Sequence, residues 1–378
     1  MNRRRVTVAA AAVGVIAGAT GLGVLAMPAG AGPAPVLPDV TAEALVESVL
    51  NAKPAAFGGS VAVNNDLGIP AIAGVPQLSD GPSTLRMWTD GQGKLRVQLP
   101  AGDSERTLVD DGETAWLWDS AEQTVRKMPH GSFEQEGRKP GLGVDQDAAP
   151  TDPVTLSRQV VAAIQEFSDV TVDGTARVAN RPVYELVLTP KPTEKTVLRE
   201  VRVAVDAELR APLRVAVLTN GTDAPAVQVG FSELNVGPQD ASLFTFTPPA
   251  GAEVVVPDLD EPSAERKAAA EQAFSEANPQ VIGEGWDVVL AARVPGNALG
   301  DLMRQQPERG ERGGERPEFG QQDVRGLLQQ LGKQVSGDWG SGTLITTRVG
   351  GLLIADDGRV AAGAVPEQVL VDAIGQVK

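Results

Sequence analysis

Apolar and polar residues alternate at period two along most of this chain, the pattern of half-buried strands. Strands are predicted at 57–63, 84–89, 94–99, 105–109, 114–119 and 123–128, and again at 169–178, 183–189, 197–206, 212–219 and 225–236. Turn chemistry separates them: Asp90-Gly91-Gln92-Gly93, Pro100-Ala101-Gly102-Asp103, Asp110-Asp111-Gly112 and Asp119-Ser120, then Asn180-Arg181 and Asn220-Gly221. Connections this short make hairpins, so the sheet is antiparallel. The stretch 65–82, rich in Pro and Gly, reads as a long loop. A last short strand is expected at 243–246, stopped by Pro248-Pro249.

Helical spacing is rarer. Leu45, Val46, Val49 and Leu50 give one amphipathic helix at 41–51, with Thr41 as N-cap. A second starts at Thr151-Asp152-Pro153 and presents Leu156, Val160, Val161, Ile164 and Phe167. Residues 258–280, acidic and then Ala-rich, form an expected linker helix. The remainder, 281–378, is a small α+β unit with strands near 284–293, 341–355 and 359–364 and helices near 321–335 and 366–377. Its charge-balanced, Gly-rich segment 304–320 is expected to be a mobile loop. At the other end, Arg3, Arg4 and Arg5 precede an uncharged stretch from Val6 to about Ala26, and Ala29-Gly30-Ala31 has the form of a cleavage site. The stretch is also long enough to span a bilayer. Residues 1–31 are therefore a signal peptide or a membrane anchor, and in either case the rest lies outside the cytoplasmic membrane.

Composition narrows the chemistry. The 378 residues are 42% hydrophobic but only 4% aromatic, so the core rests on aliphatic side chains. Cysteine is absent, which removes disulfides, thiol catalysis, cysteine-ligated zinc and lipidated cysteine. A single histidine, His130, nearly excludes His-based triads and multi-His metal sites. A formal charge of −16 argues against nucleic-acid binding; no metal, cofactor or catalytic constellation is expected. Asp110-Asp111-Gly112 and Asp356-Asp357-Gly358 lack the further ligands of a calcium loop and read as hairpin turns. Numerous Asp and Glu residues leave a carboxylate hydrolase open as a minor alternative.

Four segments in order carry a family resemblance. The helix Leu45-Val46-Glu47-Ser48-Val49-Leu50 leads into Phe57-Gly58-Gly59-Ser60-Val61-Ala62-Val63. Leu95-Arg96-Val97-Gln98-Leu99 precedes Leu108-Val109-Asp110-Asp111-Gly112-Glu113-Thr114-Ala115-Trp116-Leu117-Trp118-Asp119. Val203-Ala204-Val205-Asp206 is followed by the Pro-led strand Ala211-Pro212-Leu213-Arg214-Val215. Leu243-Phe244-Thr245-Phe246-Thr247-Pro248-Pro249-Ala250-Gly251-Ala252-Glu253-Val254 closes the set. Over about 33–257 this order resembles the lipoprotein-carrier superfamily of LolA, LolB and the RseB N-terminal domain. The Lys-poor, Gly- and Ala-heavy usage is similar to actinobacterial members with an added C-terminal region.

The resemblance implies a curved half-barrel sheet of about 11 strands closed by helices, with an interior that takes lipid or lipoprotein acyl chains. The implied protein is an extracytoplasmic carrier rather than an enzyme; the alternative is an RseB-like envelope sensor gripping a membrane protein or transporter. Only apolar side chains suit lipid tails, so the candidate lining residues are Leu85, Met87, Leu95, Val97, Leu99, Trp116 and Trp118, each set sharing a face of its own strand by i, i+2 parity. Trp88 has the opposite parity to Met87. Period-two aliphatic residues serve equally as ordinary core under a helix, and that reading stays open beside the lining one.

Overall fold

The structure, a computed structural model, describes residues 34–68, 81–101, 104–130, 164–256, 277–293 and 332–377. The leader, most of the 65–82 loop, the start of the second helix, most of the linker helix, the 304–320 loop and residues 321–331 lie outside the described residues.

Twelve strands form one curved, open sheet. Two meanders build it: β1 (Phe57–Asn65), β2 (Gly81–Thr89), β3 (Leu95–Ala101), β4 (Ser104–Asp110), β5 (Thr114–Asp119) and β6 (Thr124–Pro129), then β7 (Ser168–Val178), β8 (Arg181–Pro190), β9 (Leu198–Asp206), β10 (Pro212–Thr219) and β11 (Val227–Val236). Within each meander neighbours in sequence are neighbours in space, as short turns require. The turns are built by the aspartates that mark them. Asp90 Oδ1 accepts from the amides of Gln92 (2.7 Å) and Lys94 (3.0 Å), and Asp111 Oδ1 accepts from Glu113 (2.9 Å) and Thr114 (2.8 Å). One long-range pairing, β1 against β11, welds the two meanders into a single sheet. Register shifts in the β7–β8, β9–β10 and β1–β11 pairs add local bend to the sheet.

The large sheet departs from the sequence expectations at three places. Residues 241–244 are a 3-10 turn started by Asp240, which accepts from Ser242 N–H, rather than part of a strand. The twelfth strand comes later, at β12 (Glu253–Val255), and it pairs parallel to β6 because the chain reaches it by crossing the sheet. Asn220-Gly221 does not make a two-residue hairpin: β10 stops at Thr219 and β11 resumes at Val227. Asn180 does turn tightly, with Ala179 and Asn180 both at positive φ.

Helix α1 (Ala42–Leu50) forms where its periodicity places it, with the Thr41 hydroxyl accepting from Ala44 N–H at 3.2 Å. Its fully buried Leu45 packs on Tyr184, Leu186 and Val205, so α1 covers one face of β7–β9. This is the inner face of the sheet.

The remaining residues form a second sheet in the order β13 (Gln280–Ile282), β14 (Val289–Arg293), β18 (Arg359–Gly363), β17 (Gly350–Ala355), β16 (Gly340–Thr347) and β15 (Lys333–Gly337). Helix α2 (Glu367–Ile374) packs Leu370 and Ile374 on Leu344, Leu353 and Val289. Residues 333–335 are strand, not the end of a helix, because they pair with β16; the expected long strand 341–355 folds back at Arg348-Val349 into a hairpin.

Candidate functional site

Residues paired across adjacent strands point to the same side of a sheet, so the register assigns every side chain to a face. From α1 the inner face passes from Leu186 to Val203, Val215, Val229 and Val63. It continues from Val61 to Leu85, and from Met87 to Val97, Leu108 and Leu117. Leu95 and Leu99 flank Val97 on the same side. The structure thus brings Leu85, Met87, Leu95, Val97 and Leu99 together. Leu85 and Met87 pack on the buried Val61 and Val63. Beneath α1 the inner face is closed, with Tyr184 and Leu186 buried; from β11 to β5 most of its apolar side chains are only half-buried.

Trp116 and Trp118 are not part of this group. Trp116 pairs with Val109 and Lys127, and Trp118 with Thr107 and Val125, all on the outer face. A strap formed by residues 237–256 crosses this face and meets Trp116. Trp88, also on this face, lies against bare Gly58 and beside Gln239; a Cβ on Gly58 would collide with the indole. Arg96 Nη1 donates to the Leu243 carbonyl at 3.2 Å, Phe244 is buried, and the Phe246 ring stands 5.8 Å from that of Trp116. Lys127 Nζ sits 5.1 Å from the same indole, whose N–H donates to Asp111 Oδ2. Burial works to raise the Asp111 pKa, but amides of Thr114 and Glu113 and the Trp116 indole outweigh it and hold the carboxyl below its ordinary value. Val109 and Val125, on the same face, are fully buried.

Charged groups stand at the ends of the sheet. His130 Nδ1 lies 2.7 Å from Asp110 Oδ1, opposite Leu95. Asp206 is fully buried and receives Arg181 in two hydrogen bonds, 2.5 and 3.0 Å. At the opposite end the C-terminal sheet docks. Arg348 N–H donates to Leu67 O at 2.8 Å and its guanidinium pairs with Asp66; Val197 N–H reaches Ala364 O at 3.0 Å. Leu67, Leu198, Val217, Val227, Val349 and Ala364 form one apolar cluster across this joint. The carboxylates cross over: Glu194 accepts from Trp286 N–H at 2.8 Å, and Asp287 accepts from Lys195 N–H. Burial pushes the Glu194 pKa up, and the nearby Asp287 charge adds to that. Gly285, at φ 59°, receives the Phe167 ring where a side chain would clash.

Among the described residues no group of three His, Asp or Glu could hold a metal, and no helix is long and apolar enough to cross a membrane.

The class is an open, curved, mostly antiparallel half-barrel sheet with helix α1 on its inner face. Residues 77–256 match the model of a family described as "Predicted periplasmic protein (DUF2092)", a compartment outside the cytoplasmic membrane as the sequence led us to expect. No curated protein matches. Among solved structures the chain is similar to the MucA/MucB complex of Pseudomonas aeruginosa at 15% identity, over 87% of this chain and 94% of that one, with a TM-score of 0.34. An uncharacterised conserved protein from Thermus thermophilus matches at 13% identity over 56% and 94%, with a TM-score of 0.31. A LolA superfamily protein from Nitrosomonas europaea matches at 12% identity over 55% and 99%, with a TM-score of 0.23.

Proposed function

We propose that this is an extracytoplasmic binding protein that holds the acyl chains of a lipid or lipoprotein against the inner face of its large sheet. The observation that carries the reading is the inner face itself, where Leu85, Met87, Leu95, Val97 and Leu99 share one side of the sheet and stay half-open, while the strap lies on the other side against Trp116. A patch of this kind on an exported protein has a use only if something apolar covers it. Each methylene moved from water onto it contributes about 0.8 kcal/mol, so a fraction of one acyl chain gives working affinity without a charged contact. Trp116 and Trp118 act in this reading as outer core that stiffens the wall. The chemistry is binding rather than catalysis.

The second reading is an envelope sensor that grips a membrane protein. The joint favours it, because the ligand-facing strands β1 and β11 lead directly onto the C-terminal sheet at Asp66, Leu67 and Val227. The first test serves both readings. The exported chain is purified without detergent and extracted for lipid mass spectrometry. Stoichiometric acyl lipid is expected, and Val97→Trp, which fills the inner face at its centre, is expected to lose it. A lipid-free wild type that also rejects added acyl probes would overturn the acyl-binding reading.

A further inference from the structure

The inner face is not apolar to its end. Asn65 continues the alternation of Val61 and Val63 on β1 and is 6% exposed. Ser83 stands opposite Val63 on β2, diagonal to Asn65 on the same side. Asn65 Oδ1 and Ser83 Oγ are both buried, and neither finds a hydrogen-bond partner among the described residues. Buried polar atoms are nearly always paired, so two orphans side by side at the edge of an apolar wall mark a place where a bound group completes them. Neither is there for the sheet: the ladder uses only their backbones, and a Leu and an Ala would fill the same positions.

On the basis of the acyl-binding reading above, we infer that Asn65 and Ser83 form a polar seat for the linkage region of the bound amphiphile, and that they select one carrying a hydroxyl or an amide N–H beside its acyl chain. An amide side chain and a hydroxyl each both donate and accept, so the seat matches a group that does both. An ester without a free donor leaves part of it unsatisfied, and sites that hydrogen-bond a ligand reject the analogue lacking the group. The seat also fixes direction. Asn65 adjoins the joint, one residue before the Asp66–Arg348 pair, while Leu85, Met87, Val97 and Leu95 lead away from it toward the Phe57 end of the sheet. The polar end of the ligand therefore lies beside the C-terminal sheet, and the tail points away from it.

The test is displacement of a fluorescent fatty acid from the full exported chain by 1-lauroylglycerol, N-lauroylglycine methyl ester and methyl laurate. The first offers hydroxyls, the second an amide N–H, and the third neither. On the wild type at least one donor-bearing competitor is expected to bind about tenfold tighter than methyl laurate; which one does so tells a glycerol source from an amide-linked one. In Asn65→Leu/Ser83→Ala that preference should fall to about twofold or less. Ser83→Ala alone, a smaller change, should lose part of the preference if the double variant folds poorly. Equal binding of all three competitors to the wild type overturns the inference and leaves the acyl-binding reading standing, as does a preference that survives in the folded variants. Failure of the wild type to bind any acyl compound overturns the reading itself.

Discussion

At the end of β9 the carboxylate of Asp206 is out of contact with water and accepts four hydrogen bonds: two from Arg181 and one each from the amides of Glu208 and Leu209. Burial pulls its pKa up, and the Arg181 and amide bonds outweigh that and hold it below the ordinary 3.8. Since the folded value is depressed, the contribution is present above pH 3.8 and is lost as pH falls through the folded value. Arg181→Ala leaves the charge buried with its amides alone, and is expected to cost about 3 kcal/mol in urea denaturation at pH 7 and to flatten the acid limb of stability. The residue pattern Val-Ala-Val-Asp, turn, Pro was visible in the sequence as a family-like signature. Its cause was not, because Arg181 lies one hairpin away and nothing local announces the pair.

At the scale of elements, strand order and helix α1 were legible because alternation and turn residues are local signals. Which face each strand shows to its neighbours was not. Parity within a strand groups Leu95 with Val97 and Trp116 with Trp118, but joining the groups needs the exact loop lengths between β3, β4 and β5. One residue more or less in a loop inverts the answer. The register pairs Val97 with Leu108 and Leu108 with Leu117, which sends both tryptophans outward. The strap escaped notice for a related reason: Leu243-Phe244-Thr245-Phe246 alternates like a strand, yet its aromatic rings meet the sheet face rather than a neighbouring strand. Trp116→Ala is expected to destabilise the protein by roughly 3 kcal/mol through the cavity it opens under Phe246. Acyl binding by the folded fraction should stay within about twofold of wild type, since an outer-face side chain touches no ligand. A loss of binding as deep as that of Val97→Trp would place the indole in the site.

For the whole molecule the joint decides whether two sheets behave as one body. Its cluster of Leu67, Leu198, Val217, Val227, Val349 and Ala364 is buried, and backbone hydrogen bonds cross it at Leu67–Arg348 and Val197–Ala364. Calorimetry of the wild type should therefore give a single transition. Val349→Asp sets a charge in the cluster and is expected to split that transition in two; two transitions already in the wild type would mean independent units.

The weld between β1 and β11 has a further consequence, in time rather than in space. Ser60 and Glu233, hydrogen-bonded across it, are 173 residues apart in the chain. A polypeptide delivered N-terminus first therefore presents the whole β1–β6 meander long before its partner strand exists, and the strap and β12 come later still. Until residue 255 has followed, Trp116 lacks the Phe246 ring and the β6 edge is unpaired. The newborn chain is thus sticky on both sides of its first sheet, and a companion that shields it during crossing would be needed only for that interval.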